Sequence, residues 1–63
     1  MQICRNGKDA TIIHDWIFSI INDGINLTDW EEKFISDMEN RNPITLSEKQ
    51  LGIIESIYTN RVP

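Results

Sequence analysis

One cysteine, one alanine, two prolines and three glycines in 63 residues exclude several architectures at the start. A single thiol, Cys4, makes no internal disulfide. With His14 it supplies only two strong soft-metal ligands where a structural zinc site uses four, so no metal or other cofactor is expected. Apolar runs are short, as at Ile12-Ile13 and Ile20-Ile21, and nothing approaches the roughly 20 residues that a membrane span needs. No charged segment followed by an apolar one precedes the first helical signal, and with the lone cysteine this leads to the expectation of a reducing, cytoplasmic setting.

Basic residues are also scarce. Six Lys and Arg stand against ten Asp and Glu, a net charge of −4, with an isoelectric point near 4.6. That balance opposes approach to a polyphosphate chain. Asn6-Gly7-Lys8 stands before a helix, but the Gly-x4-Gly-Lys-Ser/Thr spacing that cradles a phosphate is missing. Cys4 and His14 form no readable nucleophile–base pair, and a paired-carboxylate hydrolase needs a deep cleft. A chain this short buries roughly 60% of its unfolded surface and has little core to shape into one. A non-enzymatic protein is expected.

What is present is an ordinary globular balance, 40% hydrophobic and 25% charged, which places the chain among folding sequences rather than disordered ones. Twelve isoleucines, six asparagines and the single alanine fit an AT-rich coding sequence, such as that of a phage or an AT-rich bacterium. The expected architecture is one all-α domain, a compact three-helix bundle spanning about residues 10–23, 29–41 and 48–60. Residues 1–8 read as a short, flexible, extended lead-in, with Cys4 a bystander in it.

Each helix carries its own signals. Ile13, Trp16, Ile17, Ile20 and Ile21 follow the spacing of one helical face behind Asp9 as N-cap. Gly24 suits a left-handed ending in which Ile25 folds back on Ile20. Thr28-Asp29-Trp30-Glu31 is a capping box, opening a second helix whose apolar face reads as Trp30, Phe34 and Met38. Pro43 stops that helix. Ser47 and Gln50 form a second box, flanked by the staple pair Leu46 and Leu51, and open a third helix that buries Leu51, Ile54, Ile57 and Tyr58.

The surface candidates follow from the helical wheel. Phe18 lies about 140° from the centre of the first helix's stripe and Ile53 about 100° from that of the third. Neither fits easily into one small core, and with Ile35 at the edge of the second helix they read as a docking patch. Asp29, Glu31 and Glu32 form an acidic first turn that suits the helix dipole and can also face a basic partner. Trp16 and Trp30 read as core anchors, and Gly52 as a site of close helix approach. On helix three, Lys49, Gln50 and Arg61 are the residues a helix-turn-helix reading would place on nucleic acid.

Residues 27–58, from Leu27-Thr-Asp-Trp-Glu-Glu-Lys-Phe through Leu46-Ser-Glu-Lys-Gln-Leu to Tyr58, resemble a short helical hairpin module of phage and mobile-element DNA-processing proteins. The resemblance implies an accessory module attached to or travelling with such enzymes, and it carries over no catalytic residue. The leading expectation is a small protein–protein interaction module, a phage-type modulator or adaptor. It would bind another protein with a basic surface through Phe18, Ile35, Ile53, Asp29, Glu31 and Glu32. Nucleic-acid binding by helix three and a structural homodimer are the alternatives.

Overall fold

The computed structural model describes residues 3–63. It is an all-α three-helix bundle: α1 (Ala10–Asp23), α2 (Asp29–Glu39) and α3 (Glu48–Arg61), with a single 3-10 turn at Pro43–Thr45. α1 packs against both α2 and α3. The core runs along α1 through Ile13, Ile17 and Ile20 and is closed by Ile35 and Met38 from α2 and by Leu51, Ile54 and Ile57 from α3.

The local signals account for the helix starts. The Asp9 carboxylate accepts a 2.8 Å bond from the Thr11 amide, which satisfies one of the donors orphaned at a helix N-terminus. In the first capping box the Thr28 amide donates to Glu31 at 2.9 Å and the Glu31 amide donates to the Thr28 hydroxyl at 3.1 Å. The second box, Ser47 with Gln50, has the same reciprocal geometry at 2.9 and 3.2 Å. Leu46 and Leu51 beside it are both buried. Each box is worth roughly 1 kcal/mol to its helix.

The stops differ from expectation. Gly24 is extended, at φ −66° and ψ 138°, while its amide still bonds the Ile20 carbonyl. The left-handed residue of this connection is Asn26, at φ 58°. Glycine is needed at 24 for closeness instead: an added Cβ would collide with the Ile20 carbonyl oxygen and lie 3.2 Å from Leu27 Cδ1. Ile25, 56% exposed, stays outside the core, and its amide donates to the Arg61 carbonyl at 3.0 Å, tying this connection to the end of α3. α2 stops at Glu39, two residues before the expected end, because the Asn42 side chain and Pro43 start the 3-10 turn at once.

The lead-in also departs from its reading. Residues 1 and 2 lie outside the described residues. From Ile3 the chain turns back on itself: the Cys4 amide donates to the Lys8 carbonyl at 2.8 Å, and Gly7 takes φ 84° at the bend. The turn carries Cys4 into the core, 3% exposed, so it is a packed residue rather than a bystander. Burial, helped by the neighbouring Asp9 charge, raises the pKa of its thiol.

The face of α2 is rotated relative to its reading. Ile35 and Met38 are buried, Phe34 is half-buried, and Trp30 is 59% exposed. By 100° per residue, Glu31, Ile35 and Met38 share one stripe while Trp30 lies roughly 110° away. The first turn of α2 sits where the apolar core ends, beside the last turn of α3. There the Glu31 carboxylate meets Arg61, with N···O distances of 3.2 and 3.4 Å. The stripe therefore begins with an ion pair, and Trp30 stacks outside on Phe34, ring centroids 5.2 Å apart.

Candidate functional site

α1 has two flanks with different fates. On the flank toward α3, Trp16 stacks on Tyr58 at 5.4 Å between centroids, and the Lys8 ammonium lies 5.6 Å over the Trp16 ring. On the flank toward α2, Phe18 and Ile21 point outward, 67% and 46% exposed. They belong to a seam between α1 and α2 that holds two depressions in succession.

The first depression, about 290 Å³, has a floor of Ile20, Leu27 and Ile35 and a rim of Glu32, Ser36 and Glu39. The second, about 230 Å³, is lined by His14, Asp15, Ile17, Phe18 and Glu39. Glu39 belongs to both, so the two are neighbours along the seam. Asp15, Glu32 and Glu39 are exposed. Among the described residues no Lys or Arg lines either depression. The arrangement is an apolar trough with carboxylate margins.

This geometry follows from the wheel. Ile21, His14 and Phe18 fall successively farther from the buried stripe of α1 on one side, while Glu32, Ser36 and Glu39 leave the Ile35–Met38 stripe on the side facing them. Two convex helix surfaces diverge above their contact line and leave a groove. On the α2 margin the short Ser36 side chain stands between the longer Glu32 and Glu39.

The expected site residues separate on this surface. Phe18 is exposed, as read from the wheel. Ile35 is not a surface residue: at 2% exposure it contributes only to the floor of the trough. Ile53 is half-buried against the core and lines neither depression, so it is not part of the seam that Phe18 borders. Gly52 offers no close helix approach, for an added Cβ there would meet open space.

The acidic first turn divides three ways. Asp29 is exposed, Glu32 forms part of the rim, and Glu31 is committed to the Thr28 capping bond and the Arg61 pair. The Thr28 amide and then the Arg61 guanidinium hold the Glu31 carboxyl below its ordinary pKa. Of the three residues on the nucleic-acid reading, Gln50 is engaged in its capping box, Arg61 is paired with Glu31, and Lys49 is exposed.

Sequence reasoning missed Ile21, Ser36, Asp15, His14 and Glu39 as seam residues. Ile21 was assigned to the core, and its position at the stripe's edge, some 60° from the buried centre, was the available signal. The others carry no signal until α2 is placed. Among the described residues no helix is long and apolar enough to cross a membrane. The chain matches no protein-family model, no curated protein and no solved structure. Its surface therefore carries the functional argument.

Proposed function

We propose that this chain is a non-enzymatic interaction module that binds another protein across the α1–α2 seam, with Phe18 as the anchor. One observation carries the reading: a 67% exposed aromatic side chain near the middle of a helix, continuous with exposed Ile21 and with two apolar-floored depressions. Isolated surface apolar residues need no explanation, whereas contiguous ones beside a groove mark binding surfaces. Aromatic anchors dominate the energetics of such surfaces. The three rim carboxylates favour a basic partner by raising encounter rates and disfavouring acidic competitors.

The mechanism is occupancy: holding or covering a partner surface, and so modulating or tethering that partner. The resemblance of residues 27–58 to helical hairpins of phage and mobile-element DNA-processing proteins makes a nucleic-acid-processing protein the first partner class to test. A reducing, cytoplasmic setting suits a chain whose one thiol is packed in its core. The test is affinity capture with wild type and Phe18→Ser, each checked for equal helicity by circular dichroism. A protein retained by wild type and lost by the variant is the expected result. Equal retention by both overturns the seam as the binding surface.

A further inference from the structure

Resting on the proposed role of the seam, we infer that its occupant is a basic amphipathic helix of the partner protein. Two apolar side chains one helical turn apart seat in the two depressions, and lysine or arginine side chains lie along both margins.

Three features point to this occupant. The first is backbone chemistry. A segment buried along the seam must satisfy its own amides and carbonyls, because apart from Leu27 the seam is lined by side chains on two helices, whose backbone groups are paired within each helix. Adding a strand requires an open sheet edge, and among the described residues the only strand-like feature is an isolated bridge between Ile3 and Asp9, outside the seam. A helix carries its hydrogen bonds within itself and meets the condition.

The second is spacing. The α1 residues lining the second depression centre near residue 16, and those lining the first near residues 20 and 21. Four to five residues along α1 are roughly 7 Å, close to the 5.4 Å pitch of a helix laid alongside. Side chains at i and i+4 of the occupant reach both depressions.

The third is charge. Glu32 and Glu39, on the α2 margin, stand two helical turns apart, and Asp15 lies on the α1 margin. A second copy of this chain would bring those carboxylates against their own counterparts, on a molecule of net charge −4. Nucleic acid meets the same repulsion. A helix with cations on either side of an apolar stripe complements both margins at once.

The test uses two synthetic helical peptides of about 16 residues, long enough to hold helix in water when alanine-rich. Both carry leucine at i and i+4; one bears lysines at the flanking positions and the other glutamates. Each is titrated into the isotopically labelled protein and followed by its amide resonances. The lysine peptide is expected to shift His14, Phe18, Ile21, Ser36 and Glu39, with affinity that falls as salt is raised. Glu32→Lys/Glu39→Lys should weaken it about tenfold or more, and Glu32→Gln/Glu39→Gln by less. The neutral pair serves as a second measure should charge reversal disturb α2.

Equal binding of the glutamate peptide, shifts centred on Trp16 and Tyr58, no binding of the lysine peptide, or self-association of the chain through the seam would each overturn the basic-helix occupant. These outcomes are separable from failure of the seam itself. If Phe18→Ser abolishes capture of a protein while the lysine peptide does not bind, the occupant is wrong and the interaction surface stands. If Phe18→Ser changes neither capture nor peptide binding, both readings fall.

Discussion

The two flanks of α1 are built from similar residues and end differently. Toward α3, Trp16 stacks on Tyr58 and the Lys8 ammonium stands over the Trp16 ring. Toward α2, Phe18 stacks on no aromatic ring among the described residues and stands 67% exposed at the second depression. The difference lies in what the neighbouring helix offers. α3 presents Tyr58 at the edge of its buried stripe, whereas α2 presents Glu32, Ser36 and Glu39. Aromatic against aromatic closes a seam; carboxylate and hydroxyl against phenyl leave it open to a partner that can satisfy both.

That contrast can be pressed on stability first, where the effects are largest. Ile54→Ala removes a wholly buried side chain from the α1–α3 side and is expected to cost about 2–5 kcal/mol. A domain of this length has only about 3–9 kcal/mol in total, so chemical denaturation should find the variant largely unfolded or close to it. Phe18→Ala, on the open flank, is expected to stay within about 0.5 kcal/mol of wild type. A comparable loss for Phe18 would mean that the open flank is also structural.

Glycine substitutions give the next effects, of opposite sign. Gly24→Ala forces a Cβ against the Ile20 carbonyl and is expected to destabilise by about 1–3 kcal/mol. Gly52→Ala enters open space within a helix and is expected to stabilise by about 0.5–1 kcal/mol. Denaturation midpoints of the two variants, measured with wild type, check both signs. A loss on Gly52→Ala would indicate that α3 has a close neighbour on that side.

Acid sensitivity is smaller still. The Glu31 carboxyl is held below its ordinary value, chiefly by the Thr28 amide and then by Arg61. Such a group binds more protons in the unfolded chain, so its contribution is present above the unfolded value, about 4.3, and is lost as pH falls through the lower folded one. Glu31→Gln keeps a capping partner of the kind that Gln50 already supplies to Ser47. Its thermal midpoint is expected to fall less steeply than that of wild type below about pH 4.3. Parallel acid limbs would remove Glu31 from that account.

The helix starts were legible because the information is local. Thr28 with Glu31 and Ser47 with Gln50 need only three residues of spacing to satisfy one another, and both boxes form as read. The orientation of α2 was not legible in the same way. Trp30, Phe34 and Met38 make as regular a stripe as Ile35 and Met38 do, and only the position of α1 and the Glu31–Arg61 pair selects between them. Cys4 was missed because its burial depends on a turn closing over the bundle. Phe18 was legible because it lies far from every reading of the α1 stripe, while Ile21 sits at the stripe's edge and its exposure depends on how α2 is placed beside it. The seam joins residues from two helices, so only one of its margins was visible in the chain.

The central claim is that partners meet the α2-facing flank of α1 and not the other. Ile12 is an exposed apolar residue of the same helix, 42% exposed and about 120° from Phe18 on the wheel, on the other side of the buried stripe. Affinity capture with wild type, Phe18→Ser and Ile12→Ser, all confirmed as equally helical, compares the flanks directly. Loss of the captured protein with Phe18→Ser and its retention with Ile12→Ser is the predicted result. Loss with Ile12→Ser and retention with Phe18→Ser would contradict it.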